Sequence, residues 1–281
     1  MSSDKELLRL LPRVLRARDF HLYLEGGKRL TDLWRFGGRA ILGHKPPKLL
    51  RELKNTAERG LFSPLPHPLQ ARFVKALSVF FPGRAFRLYM DEGSSRKALA
   101  EAGIDQTTIP LWRPFSEGDG LGVNTLEERP GVEPEVRQGI KPSPRIMLPV
   151  LPWPLGPAAL VLEKNMDTSF PPGELIPPVL LAPAARALHD LSAALKTVTS
   201  HRDFPEYPKL RGALSGSPWR RQGIYLTVEP DTDKRAYEVL FRRFLEGGFL
   251  IPPSPGEPAI LPLSMSAGEE TKLAGLLSQK H

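Results

Sequence analysis

The hydrophobic residues near the start of the chain follow two patterns, one typical of a helix and one typical of strands. In residues 5–18 (KELLRLLPRVLRAR), leucine or valine stands at positions 7, 8, 11, 14 and 15, and arginines occupy the opposite face. This pattern predicts a basic amphipathic helix that Pro12 splits or bends. Such a helix can lie on a membrane or pack as an arm on its own protein. Residues 21–34 contain two apolar runs around Glu25-Gly26-Gly27-Lys28, which predict a β-hairpin.

Two helical patterns and a strand follow. The first helix is predicted over residues 48–60 (KLLRELKNTAERG), and the second runs from Leu69 to Phe81 and stops at Pro82-Gly83. Residues 84–90 (RAFRLYM) predict a strand. After the turn Asp91–Ser95, residues 96–103 (RKALAEAG) predict a helix with a serine as its N-cap.

The second half of the chain alternates strands with helices. Residues 104–157 have no sustained period apart from a candidate strand, IMLPVL. Further strands are predicted at 159–163, 223–229 and 249–251, and helices at 178–199 and 234–248. The last helix has the sequence of a capping box, Ser266 followed three residues later by Glu269. The alternation predicts an α/β or α+β fold.

Proline is the unusual feature of the composition. The 281 residues include 31 prolines and 24 glycines, which together stay below the roughly 25–30% typical of low-complexity disorder. Fifteen of the prolines fall between Pro110 and Pro183. The middle of the chain is therefore expected to be irregular but folded.

Several classes of protein are excluded by residue type. The chain has no cysteine, which excludes disulfides, thiolate zinc sites and a catalytic thiol and fits the cytoplasm. No membrane span is expected, because the longest uncharged run, residues 146–162, contains four prolines. Charges within the first nine residues argue against a signal peptide. No metal site is predicted, since the six histidines form no helical i,i+4 pair.

Positive charge is concentrated near the amino terminus. Residues 1–100 carry 20 Lys or Arg and 9 Asp or Glu, whereas residues 101–281 carry 19 and 22. The excess indicates either an anionic partner or a solvated basic surface. No nucleic-acid-binding module accompanies it, so nucleic acid is not predicted as a partner.

The turn after the strand at 84–90 is the candidate binding site. Gly93-Ser94-Ser95 stands between the predicted strand and the predicted helix. In this order, backbone amides, the helix dipole and serine hydroxyls point toward one place and can bind an anion. The same order also arises where serine simply caps a helix.

The stretch HLYLEGGKRLTDLWRFGGRAILGHKPPKLLRELK resembles the amino-terminal segment of class III aminotransferases, pyridoxal-phosphate enzymes of fold type I. The matching residues are Tyr23, Gly27-Lys28-Arg29, Asp32, Gly37 and Leu42-Gly43-His44 with Pro47. The likeness continues through residues 70–90 and reaches Glu92-Gly93-Ser94, which stands at the position of the family's phosphate-binding turn. From Gly223 to the end of the chain, the resemblance is weak.

The resemblance implies an α/β architecture, a reduced fold type I transferase with a small α+β domain built from both chain ends. Residues 1–60 and 215–281 would form the small domain, and residues 61–214 a reduced, proline-rich large α/β domain. Pyridoxal 5'-phosphate is the implied cofactor, retained or lost. Glu92, Gly93, Ser94 and Ser95 would bind its phosphate, and Trp112 would stack on its ring.

The chain departs from the family where catalysis would occur. No motif supplies the aspartate for the ring nitrogen, and residues 244–281 contain no arginine for a substrate carboxylate. Lys164, directly after the strand at 159–163, is the candidate for the Schiff base.

Two functional hypotheses follow. The first is an aminotransferase-like protein with weak or no activity, acting on a small amino acid or amine if it is active. The second is a non-catalytic homodimer or partner subunit that keeps the scaffold and uses its basic amino-terminal third for contact, as the resemblance implies a dimer interface there.

Overall fold

The computed structural model describes residues 4–116, 144–167, 170–197, 206–228 and 233–279. The predictions on residues 117–143, 198–199 and 229 lie outside the described residues. The helices are α1 (Asp4–Leu8), α2 (Pro47–Glu58), α3 (Pro68–Ser78), α4 (Glu92–Glu101), α5 (Pro178–Thr197), α6 (Pro208–Leu214), α7 (Lys234–Glu246) and α8 (Ala267–Leu277). The strands are β1 (Val14–Arg18), β2 (His21–Leu24), β3 (Arg29–Asp32), β4 (Ala85–Tyr89), β5 (Leu111–Trp112), β6 (Ile146–Pro149), β7 (Ala158–Leu162), β8 (Trp219–Gln222), β9 (Tyr225–Val228), β10 (Phe249–Leu250) and β11 (Ala259–Ile260).

The chain divides into two compact units. Unit 1 consists of Met1–Pro46 and Lys196–His281, and unit 2 consists of Pro47–Leu195. The domain limits expected from the sequence, after residues 60 and 214, stay a prediction.

Unit 1 contains two small sheets. In the first, β1, β2 and β3 are antiparallel neighbours and β10 lies parallel to β3. The second has the order β11-β9-β8 and is antiparallel. The fully buried Leu33 joins the two, because its amide donates to Leu250 O and its carbonyl accepts from Ile260 N.

The helix predicted over residues 5–18 is wrong in its second half. Only Asp4–Leu8 is helical, and Val14–Arg18 forms β1, the outer strand of the first sheet. β1 pairs with β2, in which its partners are Leu24, Tyr23, Leu22 and His21. Proline has no amide hydrogen to donate, so the chain leaves the helix before Pro12 and resumes as a strand that the predicted hairpin can pair.

A hydrogen-bonded turn closes the first sheet after β3. The buried carboxylate of Asp32 accepts from the amides of Trp34 and Arg35 through Oδ1, at 2.9 and 2.8 Å. Its Oδ2 lies 2.8 Å from Nε2 of His44. Arg35 and Phe36 take φ values of 48° and 53°, a conformation that costs a residue with a Cβ about 1–2 kcal/mol. The bonds to Asp32 therefore hold a strained turn in place.

Gly43 is required by a close backbone approach. Its φ is +92°, and a Cβ there would lie 3.0 Å from the carbonyl oxygen of Asp19. The neighbouring amide of His44 donates to the same carbonyl at 2.8 Å. The Leu42-Gly43-His44 motif thus packs the chain against the β1–β2 turn and delivers His44 to Asp32.

Unit 2 is built on a mixed sheet of order β4-β7-β6-β5. β7 is antiparallel to both β4 and β6, and β5 is parallel to β6. Every residue of β7 is buried, and Leu160 and Leu162 pack with Leu99 of α4 in one apolar cluster. Burial of β7 on both faces makes it the centre of the unit's core.

The described residues contain neither a membrane-spanning helix nor a metal-binding cluster. Among the helices described, none has both the length and the apolar character needed to cross a bilayer. Within the same ranges, no group of three or more His, Asp or Glu side chains is arranged to hold a metal ion.

Candidate functional site

The candidate site lies at one edge of the unit 2 sheet. The register pairs Tyr89, the last residue of β4, with Ala158, the first residue of β7. It also pairs the last residues of β5 and β6, Trp112 and Pro149. The carboxyl ends of β4, β5 and β6 therefore share one edge, named here the carboxyl edge. The carboxyl end of the antiparallel β7 lies at the opposite edge.

The turn after β4 begins helix α4 earlier than the sequence indicated. The helix starts at Glu92, and its N-cap is Asp91, not a serine. The Oδ1 atom of Asp91 accepts from the amide of Ser94 at 2.8 Å. Ser95 is fully buried, and its hydroxyl donates to the carbonyl of Glu92 at 2.9 Å. Gly93 and Glu92 are exposed. The residues expected to bind phosphate thus form the first turn of a helix that is already capped.

Negative charge surrounds this turn. Asp91 and Glu92 are both at the helix start, and Glu92 forms an ion pair with Arg96 at 3.8 Å. A third carboxylate was missed by the sequence analysis: Glu174 accepts from the amide of Met90 at 2.7 Å. Three carboxylates beside a phosphate dianion would repel it, and the Ser94 amide that a phosphate would need is occupied. Binding of the phosphate of pyridoxal 5'-phosphate by Glu92, Gly93, Ser94 and Ser95 stays a prediction, and the charge and hydrogen bonding of this turn oppose it.

The segment that carries Glu174 is held against β4 by backbone contacts. The amide of Glu174 donates to Leu88 O at 2.7 Å. A Cβ at Gly173 would lie 2.7 Å from the same carbonyl, so only glycine permits this approach. The only sequence signal for the contact is the Pro171-Pro172-Gly173 breaker, which does not show where the segment docks.

Replacing Asp91 with alanine is expected to lower the free energy of unfolding by about 1 kcal/mol, the typical cost of losing an N-cap. Urea unfolding of the variant measures the loss. Asp91→Ser, which keeps a hydroxyl acceptor for the Ser94 amide, should retain most of the stability. Equal losses for both variants would contradict the capping role of Asp91.

Trp112 shares the carboxyl edge with the turn but is enclosed by other aromatic rings. Its side chain is 2% exposed. The rings of Phe80 and Phe81 meet it edge-on, at centroid distances of 5.7 and 5.1 Å. An indole packed in this way contributes to the core of unit 2 and offers no open face to a cofactor ring.

Lys164 lies away from the turn. It begins an exposed 3₁₀ turn, Lys164–Met166, two residues after β7 ends at Leu162. Leu162 pairs with Ala85, the first residue of β4, whereas the Gly93 turn follows the last. Four residues of strand, at about 3.4 Å each, separate the two ends by about 14 Å. The register brings Trp112 and the Gly93 turn to one edge and Lys164 to the other.

The connection from β6 to β7 does reach the carboxyl edge, but it carries no amine. Residues 150–157 (VLPWPLGP) contain no lysine. Trp153 is buried, and a Cβ at Gly156 would lie 2.7 Å from its Cδ1 atom. This connection is therefore shaped by packing, with its proline and glycine residues accommodating a tryptophan.

The chain is similar in fold to solved aminotransferases. The ornithine aminotransferase of Toxoplasma gondii matches with a TM-score of 0.65 and 13% identity, over 99% of this chain and 94% of that one. The acetylornithine aminotransferase of Elizabethkingia anophelis has a TM-score of 0.62 and 12% identity, over 99% and 98% of the two chains. The predicted α/β architecture, similar to that of pyridoxal-phosphate-dependent aminotransferases, is confirmed.

Sequence comparison finds relatives in two spirochaetes. An uncharacterized protein of Treponema pallidum is 27% identical over 92% of this chain and 91% of its own length. An uncharacterized protein of Borreliella burgdorferi is also 27% identical, over 95% and 90% of the two chains. No protein-family model matches the sequence.

Proposed function

We propose that this protein keeps an aminotransferase fold but has weak or no transaminase activity, because it does not form an internal aldimine with pyridoxal 5'-phosphate. The fold likeness to ornithine and acetylornithine aminotransferases supports the first part. The chemistry of the carboxyl edge supports the second.

The observation that carries the proposal is the charge and hydrogen bonding of the turn after β4. A phosphate cradle needs free backbone amides and a positive potential. Here Asp91 accepts from the Ser94 amide, Glu92 belongs to the same turn, and the carboxylate of Glu174 binds the amide of Met90 directly before it. Among the described residues that follow β4, β5 and β6 at this edge, none supplies an amine directed toward a cofactor. The only lysine of the turn and α4, Lys97, is exposed and forms an ion pair with Glu101 at 3.8 Å.

The function of Lys164 as Schiff-base residue stays a prediction, and its distance from the turn opposes it. A lysine that forms an aldimine must be partly desolvated so that its neutral form is accessible. Lys164 is exposed and lies at the other end of the β4–β7 ladder. We therefore expect Lys164 to behave as an ordinary surface lysine.

Titration with pyridoxal 5'-phosphate tests this proposal. The wild type should show no saturable visible absorbance band of an aldimine beyond that of random surface amines. Lys164→Ala and the matched control Lys54→Ala, another exposed lysine, should give the same spectrum as the wild type. A stoichiometric band that disappears only in Lys164→Ala would contradict the proposal and assign the Schiff base to Lys164.

A non-catalytic homodimer is the second candidate, and strand β1 favours it. β1 is the outer strand of its sheet, so one row of backbone groups faces no partner strand among the described residues. Two apolar side chains on it, Val14 and Leu15, are 44% and 70% exposed. Unpaired edges with exposed apolar residues commonly pair with another chain.

Light scattering on the purified protein tests the homodimer. If β1 forms the interface, the wild type is a dimer, and Leu15→Asp shifts it to the monomer. Val239→Asp, which alters an equally exposed residue of α7 (65%), should remain a dimer. A monomeric wild type, or a Leu15→Asp variant that stays dimeric, would eliminate this interface.

A further inference from the structure

We propose that a cavity in unit 1 binds an amphipathic anion, a molecule with a carboxylate or phosphate head on an apolar body. The cavity has a volume of about 490 Å³ and opens between the β2–β3 hairpin, the carboxyl end of α7 and α8. This volume is within the usual range for small-molecule sites. The cavity belongs to neither the carboxyl edge of unit 2 nor the outer strand β1, so the inference is independent of the proposed function.

The floor of the cavity is apolar. Leu24, the last residue of β2, and Leu30, the second residue of β3, are each 3% exposed. Leu10 of the amino-terminal arm and Leu245 of α7 are half-buried and complete the lining from two further elements. Leu10 and Leu245 keep accessible apolar surface, so covering it together with the apolar body of a ligand gains free energy.

The rim of the cavity is cationic. Lys28, Arg29, Arg242 and Lys272 line it, against the single carboxylate of Glu246. Arg29 is already paired with Glu269 at 3.2 Å and Arg242 with Glu238 at 2.7 Å. The side chains of Lys28 and Lys272 have no hydrogen bond or ion pair within the described part of the chain. These two ammonium groups are therefore available to a ligand.

The combination of floor and rim selects the ligand class. Glu246 and the carboxyl end of α7 contribute negative charge, so a small inorganic anion would be held weakly by two exposed lysines. An anion with an apolar body adds the burial of that body on the leucines to the attraction of its head to Lys28 and Lys272. A cation with the same body would be repelled by the rim.

Isothermal titration calorimetry with matched amphiphiles tests the inference. The probes are decanoate and decyl phosphate. Decanol lacks the anionic head group, and inorganic phosphate lacks the apolar body. Decyltrimethylammonium has the same apolar body with a positive head group. We expect saturable one-to-one binding of decanoate, decyl phosphate or both, and much weaker binding of the other three. Comparison of the two anions identifies the head group that the site prefers.

Variants locate the binding. The double variant Lys28→Glu/Lys272→Glu should bind the preferred anion about tenfold more weakly or worse, because two attractive charges become repulsive. Lys45→Glu/Lys234→Glu makes the same change of charge at exposed lysines outside the cavity and should bind as the wild type does. Equal binding of decanol, equal binding by both double variants, or no binding of either anion would each overturn the inference.

Discussion

Replacing Asp32 with alanine will lower the free energy of unfolding of unit 1 by about 3–5 kcal/mol, because it removes hydrogen bonds to a buried charged acceptor that are worth about 1.5–3 kcal/mol each. Asp32 is 2% exposed and accepts three hydrogen bonds, from the amides of Trp34 and Arg35 and from His44. Alanine removes all three acceptors. The strained turn at Arg35 and Phe36 then loses the bonds that hold it.

A further part of the effect comes from the buried cation of Arg35, whose charged form the Asp32 carboxylate favours electrostatically. The side chain of Arg35 is fully buried, with its guanidinium 4.2 Å from the centroid of the Phe20 ring. Its Nη2 atom has no hydrogen-bond partner. Burial lowers the pKa of Arg35 to about 10, although the Asp32 carboxylate opposes this shift. Without the Asp32 carboxylate, the desolvated positive charge of Arg35 loses a nearby negative charge that stabilises it.

Urea unfolding of three variants measures this contribution. Asp32→Asn keeps the shape and one acceptor, so its loss should lie between those of the wild type and Asp32→Ala. Glu25→Ala removes an exposed carboxylate that is paired with Arg13 at 3.9 Å and should change the free energy of unfolding by less than about 0.5 kcal/mol. An Asp32→Ala variant as stable as Glu25→Ala would refute the role of Asp32.

Acid will destabilise unit 1 through Glu269, with the loss concentrated between pH 4.5 and pH 2. Burial alone would raise the pKa of Glu269, but hydrogen bonds from Ser266, His21 and Thr31 outweigh it and lower the pKa from 4.5 to about 2. The Oε1 atom of Glu269 lies 2.9 Å from His21 Nε2 and 3.1 Å from Thr31 Oγ1. One carboxylate thus attaches α8 to the first sheet.

The sign of the pH dependence follows from the lowered pKa. A carboxylate whose folded pKa lies below its unfolded value stabilises the fold above the unfolded value, and this stabilisation disappears as the pH falls through the folded one. The side chain is only 17% exposed, so about 3 kcal/mol of stability is expected from a shift of this size, at about 1.4 kcal/mol per pKa unit.

Chemical unfolding at a series of pH values gives the measurement. The wild type should lose stability between pH 4.5 and pH 2, and Glu269→Gln should be less stable at neutral pH with a shallower dependence in that interval. Glu246→Gln, at the exposed end of α7, serves as the control and should keep the wild-type profile. The same slope for Glu269→Gln as for the wild type would contradict the assignment.

Much of the fold was predictable, because most elements have local signals. The capping box is confirmed: Ser266 Oγ accepts from the amide of Glu269, and the Glu269 carboxylate accepts from the amide of Ser266 at 3.1 Å. The hairpin, the helices α2, α3 and α7 and the strand β7 also follow from period and breakers. The strand β1 does not, because a run of leucines and arginines satisfies a helical period and only its pairing with β2 decides otherwise.

The candidate site was less predictable, because it depends on strand direction. Sequence identifies Lys164 as a lysine that follows a strand, but the antiparallel pairing of β7 with β4 determines at which edge that lysine lies. Glu174 is 84 residues from Met90 along the chain, and no local pattern predicts their contact. With Asp91 as the N-cap, and not Ser94 or Ser95, the helix begins three or four residues earlier than its alanine-rich pattern indicates.

We propose above that the chain keeps an aminotransferase fold but forms no internal aldimine. Reduction with borohydride after incubation with pyridoxal 5'-phosphate, followed by mass mapping of the peptides, records which lysines become covalently labelled. We expect scattered, sub-stoichiometric labelling of exposed lysines, with Lys164 labelled no more than Lys54. Stoichiometric labelling of a single lysine, whether Lys164 or Lys141 in the part of the chain outside the described residues, would contradict it.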